Sequence, residues 1–180
     1  MNLLVISDIH GIKKNLSIIE EKMNTFQCDK LIVLGDLYYI GPRNKMQEDY
    51  DISYVKDFLE RFQDKLICLR GNCDSDVDIE ASNFPIINDL GILLTNGMEL
   101  YLTHGHIYNE TNWKKENSIL LFGHYHIPFI KEIGNNIFIN PGSISLPKNN
   151  FKASYLVLKE NEFTIYDIED NVIEQRKISK

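Results

Sequence analysis

Residues 3–6, 31–34 and 66–69 are short apolar runs with β-branched members, and the two stretches between them carry apolar residues at helical spacing. This alternation limits the fold more than any other feature of the chain. The runs show no polar alternation, as expected of strands covered on both faces in a parallel sheet. Between them, Ile12, Leu16, Ile19 and Met23 recur at i, i+4, i+7 and i+11, and Ile52, Val55, Leu59 and Phe62 at i, i+3, i+7 and i+10. Each set lays one apolar stripe along a helix. Asn15 or Gly11 can open the first helix, and the acidic Asp49 and Asp51 stand where the second begins, favourable to its dipole. The result is a βαβαβ unit, because parallel strands need crossover connections of this length.

Beyond Asn72 the pattern changes. Residues 86–87, 92–94, 100–102, 119–122, 129–133, 137–139, 155–158, 163–168 and 172–178 read as short strands, with hairpin turns at Gly97, 134–136, 160–161 and 169–171. The second half is therefore mainly β and expected to be antiparallel. No Pro/Gly/Ser-rich linker divides the halves, so residues 1–180 are expected to form one domain. Its class is α/β (α+β): two packed β-sheets with helices outside. The polar stretch 108–117, which holds the lone tryptophan Trp113, reads as a loop or short helix over a site.

Composition narrows the function. The chain has 180 residues, 43% of them hydrophobic, enough for a single sizeable core. No segment approaches the roughly 20 apolar residues of a membrane span, and residues 1–6 lack the basic start and cleavage site of a signal peptide, so a cytoplasmic setting and no membrane partner are expected. Cys28, Cys68 and Cys73 form no CxxC pair, which argues against a disulfide framework and a thiolate zinc site. A net charge of −7 without a long Lys/Arg cluster disfavours long nucleic acid. Metal ions would have to supply much of the positive charge met by a bound phosphate. Exposed aromatic residues leave a homo-oligomeric contact open.

All five histidines fall in three segments, 8–11, 103–106 and 123–126, each close behind an apolar run. Asp8 and His10 follow the first strand, Asp36 the second and Asn72 the third; His104, and then His124 with His126, follow later ones. Strand exits hold the backbone while presenting side chains to solvent. Singly, an Asp or Asn at such a place is commonly a turn or cap residue, and a histidine commonly structural. Jointly, no histidine is left for incidental positions, and carboxylate, imidazole and amide oxygen suit Mn, Fe or Zn. Seven ligands exceed one tetrahedral ion and suit two ions bridged by Asp36.

The segments Asp8-Ile9-His10, Gly35-Asp36, Gly71-Asn72, His104-Gly105-His106 and Gly123-His124-Tyr125-His126 resemble, in order, the motifs of calcineurin-like metallophosphoesterases. Gly41-Pro42-Arg43-Asn44, Arg70-Gly71-Asn72-Cys73-Asp74 and Asn140-Pro141-Gly142-Ser143 look most like the small bacterial YfcE-type phosphodiesterases. The resemblance implies an αββα sandwich of two mixed sheets flanked by helices. It implies two divalent cations, manganese first among Mn, Fe, Zn and Ni: one held by Asp8, His10 and His126, the other by Asn72, His104 and His124, with Asp36 bridging. Asp36, Asn72 and His104 would form the catalytic set, and a metal-bridging hydroxide would attack a small phosphodiester. Other readings are a phosphomonoesterase or nuclease with the same site, or a silent binding scaffold like the retromer subunit related to this superfamily.

Three further residues are candidates for substrate contact. Arg43 is either a phosphate contact or a solvated loop arginine. His106 either hydrogen-bonds substrate or supports a ligand. Cys73 stands where many members of the superfamily have His, and it reads as a tuning group, a nucleophile if its pKa is lowered, or inert packing. Tyr38, Tyr39, Trp113 and Tyr125 would set the pocket width if they line it.

Overall fold

The fold comes from a computed structural model, which describes residues 1–42 and 44–178. In chain order the elements of the first half are β1 (Leu3–Ile6), α1 (Leu16–Thr25), β2 (Lys30–Val33), α2 (Ile52–Arg61), β3 (Leu66–Leu69), α3 (Asp76–Ala81) and β4 (Ile86–Ile87). The second half contributes β5 (Gly91–Thr95), β6 (Met98–Thr103), β7 (Ile119–Phe122), β8 (Pro128–Ile133), β9 (Asn136–Pro141), β10 (Ser154–Lys159), β11 (Glu162–Asp167) and β12 (Val172–Lys177).

These strands make a seven-stranded sheet, β12-β11-β10-β1-β2-β3-β4, and a five-stranded sheet, β5-β6-β7-β9-β8. Strands β1 to β4 pair in parallel, as the crossover helices dictate. The first strand shows why its sequence has no polar alternation. Leu4 and Ile6 face α1 and α2 in one buried cluster with Leu16, Ile19, Val55 and Leu59. Leu3 and Val5 face the second sheet, in a cluster with Leu100, Leu121 and Ile139. Both pleat faces are dry, so every position is apolar.

Strand order and direction depart from expectation in two ways. The β10–β12 meander returns to pair antiparallel with β1 instead of extending the second sheet. Within the second sheet β6, β7 and β9 run parallel, and only β5 and β8 are antiparallel to their neighbours. Both sheets are therefore mixed, as the family resemblance implies. The segment from His104 to Ser118 is long enough for a crossover, and hydrophobic periodicity does not encode direction.

Helix α3 carries no apolar stripe and has no buried residue, which explains why periodicity misses it. It rests on a capping box in which the Ser75 side chain accepts from the Asp78 N–H and the Asp78 carboxylate accepts from the Ser75 N–H. Helix α2 starts as expected, with Asp51 accepting from the Tyr54 N–H at 3.0 Å. Asn15 precedes α1 but gives its side chain to the Ile144 carbonyl, 2.7 Å away, fastening the helix to the loop after β9.

Residues 108–117 form a loop that covers the outer face of the second sheet. Trp113 packs on Tyr101 at 5.1 Å between ring centroids and donates to Ser118 Oγ at 2.8 Å. Among the described residues no helix is long and apolar enough to cross a membrane.

Candidate metal centre

The carboxyl ends of β1, β2, β3, β6 and β7 converge on one side of the two sheets, and each exit loop delivers candidate ligands there. The chain turns abruptly at these exits. Asp8, His10, Asp36, His124 and His126 all adopt left-handed backbone conformations, with φ between 52° and 65°. For residues with a Cβ this costs about 1–3 kcal/mol each and gathers at functional sites. Two glycines permit the close approach of the loops. A Cβ on Gly71 would overlap Asp36 Oδ1, and one on Gly123 would overlap Ser7 Oγ.

The site holds nearly all its polar groups out of solvent: Asp8, His10, Asp36, His104 and His126 are buried, His124 is partly buried, and Asn72 stands at the rim. Three imidazoles are fixed by backbone carbonyls on their outer sides. His10 Nδ1 donates to Tyr39 O at 2.7 Å, His104 Nδ1 to Leu34 O at 2.7 Å and His126 Nδ1 to Leu146 O at 2.6 Å. A carbonyl only accepts, so each Nδ1 carries the hydrogen and each Nε2 points inward.

What those Nε2 atoms meet is almost entirely other acceptors. His10 Nε2 lies 3.3 Å from His126 Nε2, and His126 Nε2 lies 3.3 Å from Asp8 Oδ1. Asp8 Oδ1 is buried without a hydrogen-bond partner. Asp36 Oδ2 stands 3.5 Å from His10 Nε2 and 3.4 Å from His104 Nε2, and Asn72 Oδ1 is 3.1 Å from His104 Nε2. Potential ligand atoms group as Asp8, His10 and His126 and as Asp36, His104 and His124, each set within 4.8 Å, and His10, Asp36 and the Cys73 thiol form a third such set. An orphaned carboxylate oxygen among opposed nitrogen lone pairs is unfavourable without a cation, and the O/N donor set fits divalent metal ions.

In the metal-free chain the strain falls on one histidine. Burial opposes the charged form of His104, but the Asp36 carboxylate and the nearby Asp8 overcome it and raise the imidazole to about 9. Asp36 is itself buried, which favours its neutral form, yet His104 and the Cys73 N–H hold its carboxyl well below the usual range. Burial and the His104 charge push His124 down to about 4, and burial also lowers His126.

The structure brings Asp8, His10, Asp36, Asn72, His104, His124 and His126 together. The other sequence candidates are placed differently. Arg43 lies outside the described residues. His106 is exposed, its ring 5.4 Å from that of His104, and it faces a neighbouring groove with Arg70 and Asn72. Cys73 donates its N–H to Asp36 Oδ1 at 2.8 Å. Burial and the adjacent Asp36 raise its thiol to about 12, so the nucleophile reading has no support.

A cavity of about 600 Å³ opens beside the site, and of Tyr38, Tyr39, Trp113 and Tyr125 only Tyr125 lines it. Tyr38 is buried and hydrogen-bonds Ser82, Tyr39 serves through its carbonyl, and Trp113 belongs to the outer sheet face. The loop 108–117 thus does not close over the site, because its tryptophan finds an apolar surface on β6.

Neither residue type nor spacing marks Asp74 as a separate functional residue, although it closes the Arg70-Gly71-Asn72-Cys73-Asp74 segment. Its buried carboxylate accepts the N–H groups of Asp36 at 2.9 Å, Leu37 at 2.7 Å and Gly71 at 2.7 Å. It ties the β2 exit to the β3 exit and so fixes Asp36 relative to Asn72.

Two mixed sheets that collect two carboxylates, an amide and four imidazoles at their strand ends define a metal-dependent phosphoric ester hydrolase. The chain belongs to the calcineurin-like phosphoesterase superfamily, whose domain profile matches residues 1–162. It is similar to the phosphodiesterase YfcE of Escherichia coli (strain K12), with 35% identity over 175 residues, 96% of this chain and 95% of YfcE. The solved structure of E. coli YfcE, described as a phosphoesterase, matches with a TM-score of 0.94 and 34% identity, covering 99% of this chain and 100% of that one. The probable metallophosphoesterase YsnB of Bacillus subtilis (strain 168) is 29% identical over 188 residues, 97% of this chain and 95% of YsnB. The superfamily implies divalent metal ions.

Proposed function

We propose that the chain is a phosphodiesterase that uses two divalent cations, manganese foremost, to hydrolyse a small phosphodiester. The observation that carries this reading is the neighbouring pair of potential ligand groups, Asp8, His10 and His126 beside Asp36, His104 and His124, with Asp36 Oδ2 3.5 Å from His10 Nε2 and 3.4 Å from His104 Nε2. Asp8, His10 and His126 would hold one ion, Asn72, His104 and His124 the other, and Asp36 would serve both. When bound, such a pair lowers the pKa of water and neutralises charge on the phosphoryl group.

The chain's own residues supply the rigidity that this chemistry needs. The Cys73 N–H holds Asp36 Oδ1 at 2.8 Å, which leaves Oδ2 directed between His10 and His104. The carbonyls of Tyr39, Leu34 and Leu146 keep three imidazoles in one tautomer and one orientation. The cavity volume is of the size that takes a small molecule, and the charge of −7 opposes a long polyanion.

Metal analysis and turnover on one purified sample test the reading. Near two ions per chain are expected, with aryl phosphate diesters cleaved faster than monoesters or single-stranded DNA. Asp36→Asn should lose metal and turnover together. Full diester turnover after stringent demetallation would refute it. A chain that takes up no metal and cleaves nothing would instead be a scaffold.

A further inference from the structure

We infer that Lys148 sets substrate specificity by selecting phosphodiesters with a second anionic group on the ester arm that enters the cavity beside Tyr125, an inference that rests on the phosphodiesterase reading. Among the described residues Lys148 is the only cationic side chain lining that cavity. Its position is fixed to the metal centre through the backbone. The Lys148 N–H donates to the His126 carbonyl at 3.0 Å, and two residues earlier the Leu146 carbonyl accepts from His126 Nδ1 at 2.6 Å. The same loop is fastened to β1, because Ser143 Oγ donates to the Asp8 carbonyl and accepts from the Leu146 N–H, both at 2.8 Å.

Lys13, Lys22, Lys131 and Lys152 each have a carboxylate within 4 Å, whereas several surface lysines away from the cavity, such as Lys14 and Lys65, have none among the described residues. Lys148 has none among the described residues, and it faces a cavity whose remaining wall includes the apolar Ile40, Pro42, Tyr125 and Ile127. The Tyr125 ring is set edge-on against Phe122 at 5.4 Å, so this wall is preformed. The metal ions would meet the charge of the diester itself. An arm with an apolar body and an anionic tip satisfies both the wall and the unpaired ammonium.

The test compares 4-nitrophenyl phenyl phosphate with 4-nitrophenyl 4-carboxyphenyl phosphate on the metal-loaded protein, both read as released nitrophenolate. The quantity followed is the ratio of kcat/KM for the carboxylated diester to that for the phenyl diester. Lys148→Met should lower this ratio about three- to fivefold through KM, the upper end of the range of a solvent-exposed ion pair, and Lys148→Arg should preserve it. In the unmutated chain, raising salt from about 0.05 to about 0.5 M should lower the ratio as well, and Lys148→Met should abolish that salt dependence.

A ratio unchanged in Lys148→Met, whether both rates hold or both fall together, overturns the inference, since the ammonium would then meet the common phosphate or nothing. A ratio insensitive to salt in the unmutated chain overturns it without reliance on any variant. Absence of turnover on both diesters is a different result: it overturns the phosphodiesterase reading, and this inference with it.

Discussion

Metal loading should displace a proton from His104, and acid should weaken it steeply. In the metal-free chain both ring nitrogens face oxygen: Nδ1 the Leu34 carbonyl at 2.7 Å, and Nε2 Asn72 Oδ1 at 3.1 Å and Asp36 Oδ2 at 3.4 Å. Although burial opposes it, the two aspartates keep this imidazole charged up to about 9. His124, near 4, holds no competing proton near neutrality, and burial also lowers His126. Lowering the pH from about 8.5 to about 6.5 should therefore cut the unprotonated fraction of His104 roughly 75-fold, weakening the ion in its cluster by ~2.5 kcal/mol. Competition with a chromophoric chelator for Mn²⁺ at the two pH values measures the change. Calorimetry near neutral pH, in buffers of different ionisation enthalpy, counts the released proton, with about one expected per ion in that cluster. An affinity that changes less than about threefold over this interval, or a binding heat independent of buffer, would refute the reasoning.

The same raised value predicts how metal-free stability varies with pH. A folded-state pKa of about 9 against an ordinary 6.5 stabilises fully below 6.5, and the effect is lost as pH rises through 9. The metal-free Tm should fall across that window by the equivalent of roughly 3 kcal/mol, while the loaded protein changes little; a metal-free Tm that holds or rises contradicts it. Gly71→Ala should strip the site of metal and cost about 1–3 kcal/mol in thermal denaturation, because the new methyl overlaps Asp36. Gly134→Ala, with open space around it and only a positive φ to accommodate, should leave metal content intact, and equal metal loss in both variants would discredit the steric argument. Asp74→Asn should lower metal affinity about 10–100-fold while the fold persists by circular dichroism, because one of three N–H groups loses its acceptor; unchanged affinity would remove Asp74 from the site's support.

The convergence of the candidate ligands is legible because their residue types are scarce and their places are marked. Five histidines in three segments behind apolar runs leave little room for an incidental explanation, and β1 announces itself by having no polar face. Partnership among strands was not legible. The return of β10 to β1 depends on which apolar faces meet: Leu156 and Leu158 join Leu3 and Val5 against the second sheet, and no local pattern near residue 155 names that partner. The sequence does not place Trp113 for the same reason, since a polar loop with one large apolar side chain goes wherever an apolar surface remains, here Tyr101. Helix α3 stayed hidden because its stabilisation is polar and local.

Asp74 and the five left-handed candidate ligands expose a deeper limit. At Asp8, His10, Asp36, His124 and His126 the local preference of the chain opposes the backbone conformation it adopts. Hydrophobic periodicity describes what favours the fold, so it is silent where the fold overrides local preference. The hydrogen-bond frame fills that gap: the carboxylate of Asp74, the side chains of Asn15 and Ser143, and three backbone carbonyls bind the exit loops to one another, and through Asn15 to α1. Such a frame uses side chains that look like ordinary turn residues in the sequence. The candidate ligands can therefore be picked out by residue type and position, whereas the groups that hold them in strained conformations become visible only when the loops are assembled.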